Sequence, residues 1–147
     1  MNLDRLFTIV GSALESQRLR LNIIAGNLAN AGSTRSPTGG PYIRRDVVFQ
    51  SVTHSSPFHR IFSATFGGPI EPSGVRVAEV VADTRPPRQV YDPKHPDADE
   101  RGFVLLPNVN VIEEMTNLLA TSRAYEANIA VMDTGKTMAL RVLDLGR

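Results

Sequence analysis

Apolar side chains in the first thirty positions fall at Leu3, Phe7, Val10, Leu14, Leu21, Ile24 and Leu28, in steps of four and three broken only at Gln17. Such steps keep side chains on one stripe of an α-helix, because the helix turns once in 3.6 residues. The stripe has the form of a coiled-coil seam. Leu6, Ile9, Ala13, Ile23 and Ala25 lie beside it, so the apolar face is wider than one partner helix covers. Gly32, just beyond Asn30, is expected to stop the helix.

The last forty positions repeat the pattern at Val111, Met115, Leu118, Tyr125, Ile129, Met132, Ala139 and Leu143, with Ser122 and Lys136 in the gaps. Pro107 ends the preceding segment, and Asn110 with Glu113 three residues on reads as an N-cap with its capping-box partner. Ala120, Ala124, Ala127 and Ala130 leave room for another helix to approach. A helix from Asn110 to Leu145 would be ~54 Å long, against a radius of gyration of ~15 Å for a compact globule of this chain length. Its outer turns are therefore expected to need partners from other subunits.

The middle of the chain has a different character. All ten prolines lie in residues 31–107, with turn signals at SPTGGP, FGGPIEPSG and DPKHPD. Short β-prone runs separate them: Tyr42–Phe49, Val75–Val81, Arg88–Tyr91 and Phe103–Leu106. Ser51 to Ser73 follows neither period and is expected to be loop with short strands. The expected fold is α+β and mainly α: residues 1–32 and 108–147 form paired terminal helices in a coiled-coil-like arrangement, and residues 33–107 form a loop- and β-rich middle segment.

Composition narrows the function classes. The 147 residues suit one domain. Sixteen Lys and Arg against fifteen Asp and Glu leave a net charge of +1. Residues 1–30, 31–107 and 108–147 carry +1, +1 and −1, so no basic patch calls for nucleic acid. The absence of cysteine excludes disulfides, thiolate metal ligands and a cysteine nucleophile. The longest run without a charged residue, Leu21 to Thr34, is 14 residues with three asparagines, too short and too polar to span a bilayer. An integral membrane protein is not expected. Neither is a cleaved secretory signal, since Asp4 precedes the first apolar stretch.

Candidate chemistry is sparse. His54, His59 and His95 lack metal-ligand spacing. The stretch Asp97 to Gly102 opens like a calcium loop, but Arg101 and Asn108 fall where oxygen ligands and a bidentate Glu are required, leaving a solvated turn. No G-x-S-x-G or G-x-x-x-x-G-K occurs, so no catalytic residue, cofactor or metal is expected. Arg44, Arg45, Arg85 and Arg88 sit near Asp46 and Asp83, which favours ion pairs or exposed strand faces over a phosphate site. Asn27 and Asn30, one turn apart at the end of the first helix, form a helix-end motif placed to satisfy its last carbonyls.

Three stretches carry a resemblance: SALESQRLRLNIIAGNLANAGST (Ser12–Thr34), GGPYIRRDVVFQ (Gly39–Gln50), and the long run from Val90 to Gly146 that contains RAYEAN (Arg123–Asn128). Together they cover about two thirds of the chain, and they resemble, in order and at both termini, the flagellar axial proteins of the rod, hook and hook-associated family. The length is similar to that of the short rod subunits, without the larger central insertions of hook relatives. The resemblance implies a structural subunit of the drive shaft that crosses the periplasm in the flagellar basal body. Its implied partners are other rod subunits and copies of itself, and its implied route is the flagellar type III export apparatus without a cleaved signal. Early export substrates of the family carry a Phe with an apolar residue four positions on, whereas Phe7 here is followed by Gly11. The expected assembly interface comprises Leu3, Phe7, Val10, Leu14, Leu21, Ile24 and Leu28 on the first helix. On the second it comprises Met115, Leu118, Tyr125, Ile129, Met132 and Leu143. The same stripes would also serve a coiled-coil adaptor or secretion-linked protein in a closed oligomer.

Overall fold

The computed structural model describes residues 3–37, 39–53, 65 and 73–145. Two long helices open and close it: α1, Leu3–Ala29, and α2, Val111–Leu145. Between them lie β1 (Arg45–Val52), β2 (Gly74–Ala82), β3 (Arg88–Tyr91) and β4 (Phe103–Leu106). The fold is α+β and mainly helical, with the terminal helices packed against each other. Asn27 near the end of α1 meets Glu114 near the start of α2, and Leu6 near the start of α1 lies against Gly135. The pair is therefore antiparallel. Most of the stretch from Ser51 to Ser73 expected to be loop lies outside the described residues, as do His54 and His59.

The strands form two two-stranded sheets, β1 with β2 and β3 with β4. In the first, Ser73 N donates to Val52 O at 2.7 Å and Asp83 N to Arg44 O at 2.8 Å, which fixes an antiparallel run. The second is antiparallel with Arg88 opposite Leu106 and Tyr91 opposite Phe103. Its residues are those the β-prone runs identified. In the first sheet, β1 begins three residues later than the run at Tyr42, where the backbone N of Tyr42 donates to Ser33 O at 3.2 Å and not to β2.

The chain forms two compact units, and both helices contribute to each. The first holds residues 1–18, 49–78 and 123–147; the second holds residues 19–48 and 79–122. In the first unit Val10 is buried, and so is Gly135 on α2. A Cβ at Gly135 would stand 2.5 Å from Leu6 Cδ2, so glycine there sets how near the helices come. Ser12 Oγ accepts from Val75 N at 3.1 Å, while the Ser16 hydroxyl, which donates to Ser12 O at 2.8 Å within the helix, lies 3.5 Å from Val75 O. A helix hydroxyl thus satisfies the backbone N–H of a strand residue, as a neighbouring strand would.

In the second unit the buried apolar residues are Ile24, Val104 and Val109, beside a fully buried Pro107. Val104 lies on the inner face of the β3–β4 hairpin, while Tyr91 and Phe103 stack edge to face on the outer one with centroids 5.3 Å apart. Gly102 closes the hairpin at φ +79°, where a Cβ would meet Tyr91 Cε2 at 2.9 Å and Pro93 Cβ at 3.1 Å. The turn before it is held by Asp99, whose Oδ1 accepts from Arg101 N at 2.9 Å and Phe103 N at 2.7 Å. Asp97 accepts from Thr34 Oγ1 at 2.7 Å and pairs with Arg35, tying the turn to the segment after α1. These two contacts hold the Asp97 carboxyl below the usual carboxylate range.

The helix ends have separate causes. At the start of α2, Asn110 Oδ1 accepts from Ile112 N at 3.1 Å, as an N-cap does. Gly32 does not end α1 in the expected way, since the described glycines with positive φ are Gly39, Gly40 and Gly102. Instead, Asn30 returns both its backbone N, at 3.1 Å, and its Nδ2, at 2.9 Å, to Gly26 O. The side-chain amide thus adds a second bond to one carbonyl of the last turn, and the helix ends without a left-handed residue.

Candidate assembly site

On α1 the positions at 3, 7, 10, 14, 21, 24 and 28 are all buried or half-buried, and the gap in the seam at Gln17 is half-buried as well. Helix α2 behaves differently. The line that is buried or half-buried runs through Glu114, Leu118, Thr121, Tyr125, Asn128, Met132, Gly135 and Ala139. It shares Leu118, Tyr125, Met132 and Ala139 with the apolar seam. On its other flank, Glu114, Thr121, Asn128 and Gly135 stand inward where the apolar pattern places Met115, Ser122, Ile129 and Lys136. Met115, Ile129 and Leu143 are consequently exposed, at 51%, 39% and 68%.

Small or fully bonded polar side chains make this rotation possible. Thr121 is buried because its hydroxyl donates to Asn117 O at 2.7 Å within the helix. Gly135 contributes no side chain and admits Leu6. Glu114, with no exposed surface at all, is bonded on both oxygens: Oε1 accepts from Arg44 Nε at 2.8 Å and Oε2 from Asn27 Nδ2 at 3.1 Å.

Much of what remains outside is apolar. In the second unit Val111, Ile112, Met115 and Leu119 are exposed; in the first, Ile129, Val131, Met138, Leu140, Val142 and Leu143 are exposed. Ile112 and Val142 keep 77% and 64% of their surface in water. These apolar side chains alternate with exposed charged ones, among them Glu113, Arg123, Glu126, Asp133, Lys136 and Arg141, so α2 carries uncovered apolar surface between polar positions.

The polar cluster of the second unit centres on Asn27. Its Nδ2 donates to Arg45 O at 2.7 Å and to Glu114, and its Oδ1 accepts from Arg45 N at 2.9 Å and Tyr42 OH at 3.0 Å. Both donors and both acceptor positions of the amide are used. The contact with Arg45 reproduces a backbone bridge between strands, with the side chain in place of the second strand. Asn27 therefore uses its amide on Arg45, Tyr42 and Glu114, while Asn30 Nδ2 donates to Gly26 O in the last turn of α1. Arg44 is buried and also reaches Asp46 Oδ2 at 3.2 Å and Asp83 Oδ2 at 3.8 Å. Burial opposes its charge, but hydrogen bonds and attraction from Glu114 and Asp46 prevail and raise its pKa. Arg85 grips Asp83 through Nη2 at 2.6 Å and Nε at 2.9 Å. That grip, with the Arg85 backbone N–H, holds the Asp83 carboxyl far below its ordinary range.

Glu114 is the residue the sequence pattern misses. It follows Glu113, and period or capping arguments treat adjacent glutamates alike; its guanidinium partner lies 70 positions away. Among the described residues no helix is long and apolar enough to cross a membrane. No group of three or more His, Asp or Glu there is arranged to hold a metal ion.

A family model described as the C-terminal part of the flagellar basal body rod proteins FlgEFG matches residues 100–145, which include all of α2. Over its full length the chain is 42% identical to the flagellar basal-body rod protein FlgC of Yersinia enterocolitica and 44% identical to that of Salmonella typhimurium; all of both chains is covered. It is 38% identical to FlgC of Borreliella burgdorferi, with 94% of this chain and 93% of that one covered.

Proposed function

The chain belongs to the family of the flagellar basal-body rod protein FlgC, and from that membership we propose a structural subunit that polymerises through its terminal helices into part of the torque-transmitting shaft. Membership places it in the flagellar basal-body rod, in association with other rod proteins. In this reading it lies in the proximal part of the rod, crosses the periplasm with it, and arrives through the flagellar type III export apparatus without a cleaved signal. Its neighbours are related rod subunits and copies of itself. It performs no catalysis.

The observation that carries the proposal is the exposed apolar surface of α2. Covering it would contribute ~25 cal/mol per Å² of apolar area, and repeated contacts with several neighbours would sum to a stiff assembly. The proposed assembly interface comprises the seam residues of α1 with Met115, Leu118, Tyr125, Ile129, Met132 and Leu143; Met115, Ile129 and Leu143 are exposed to meet neighbours, while Leu118, Tyr125 and Met132 stand on the inward line with the α1 seam. Family membership favours this over a closed oligomer of a coiled-coil adaptor. Electron cryomicroscopy of isolated basal bodies tests it. The expected map has this chain traced in the rod with Ile112, Met115 and Leu143 against neighbouring subunits; its absence from the rod would refute the proposal.

A further inference from the structure

The segment that leads from α1 into β1 has little apolar support. Ile43 is 56% exposed, Arg45 and Asp46 are exposed, and Tyr42 is half-buried. What anchors it is the cluster of Asn27, Arg44 and Glu114, which have relative exposures of 1%, 9% and 0%. Removing any one partner leaves the others buried with unmet bonds: a guanidinium without its carboxylate, or a strand residue without its bridge. The titratable and charged groups facing Glu114 and Arg44 are Asp46 on β1 and Asp83 following β2, with Arg85 behind Asp83. All are already paired, so none is free to replace a lost member.

We propose that Asn27, Arg44 and Glu114 form a latch: a locally cooperative unit that docks residues 41–46 onto the helix pair and releases them together, without unpairing the helices. Three backbone amides report its state. Arg45 N donates to Asn27 Oδ1, Tyr42 N donates to Ser33 O at 3.2 Å, and Asp83 N donates to Arg44 O. Each depends on the docked segment: Tyr42 and Arg45 lie on it, and Asp83 lies on a separate stretch of chain. An open latch exposes all three at once. The inference concerns the fold of this chain alone and stands or falls separately from its place in the rod.

Hydrogen exchange on the full-length chain, resolved at single amides, tests it with two variants. Glu114→Gln keeps the shape of the side chain but turns one accepting group into a donor facing Arg44. Tyr42→Phe removes one bond to Asn27 and keeps the ring, so it serves if the first variant does not fold. The expected result is that the amides of Tyr42, Arg45 and Asp83 exchange faster by one common factor, about tenfold or more in Glu114→Gln and less in Tyr42→Phe. Amides of residues 125–139 in α2 keep their rates. Unchanged rates, different factors at the three amides, equal acceleration along α2, or no protection of the three amides in the unmodified chain would each overturn the latch.

Discussion

Asparagine is the one side chain of its length that offers two donors and two acceptors, and position 27 uses all four. Aspartate keeps the acceptors but loses both donors and sets a second carboxylate beside Glu114. Asn27→Asp is expected to destabilise the chain by about 2–3 kcal/mol, read from the urea midpoint. At Gly102 the backbone lies in the left-handed region with Tyr91 and Pro93 close by. Gly102→Ala is expected to cost about 1–2 kcal/mol from backbone strain alone, with faster amide exchange confined to the β3–β4 hairpin. Acid acts through Asp83 and Asp97, whose carboxyls titrate below their ordinary range. Their contribution is complete above the unfolded value of about 4 and is lost as pH falls through the lower folded values. Urea midpoints measured downward from pH 5 should therefore decline, and Asp83→Asn should flatten part of the decline.

At the scale of elements, the helices and the hairpin were legible because each follows from a local rule: four-three spacing, an Asn N-cap, two β-branched or aromatic runs around a proline turn. The face that α2 turns toward α1 was legible only in half. Apolar periodicity locates Leu118, Tyr125 and Met132 but is blind to Thr121 and Gly135, which occupy inward positions by bonding to their own helix or by having no side chain. It is equally blind to Glu114, whose partner is distant in sequence. The two helices should accordingly respond differently to charge. Ile129 keeps 39% of its surface in water, so Ile129→Asp is expected to destabilise the isolated chain less than Leu21→Asp does while abolishing swimming. Leu21 is half-buried on α1, so Leu21→Asp is expected to lower the denaturation midpoint as well. Normal swimming of both mutants, with export of earlier subunits intact, would count against the interface.

For the whole molecule, the division into two units was not readable in the sequence, since each unit gathers three or two distant stretches and takes part of both helices. Four buried aliphatic side chains among the described residues, Val10, Ile24, Val104 and Val109, are a thin core for helices of 27 and 35 residues. Long helices without full cover fray from their ends. Circular dichroism of the purified chain is therefore expected to report less helix than those two lengths together, and helicity should rise on assembly. A lone chain already at full helicity would argue that nothing remains for neighbours to complete.

Glycine, threonine, asparagine and an ion-paired glutamate face inward along α2, so isoleucine, valine, methionine and leucine are left in contact with water. Handling of the free protein should reflect that inversion. Light scattered by a dilute preparation should climb steeply on concentration, sulfate salts should precipitate the chain early, and mild detergent should keep it dispersed.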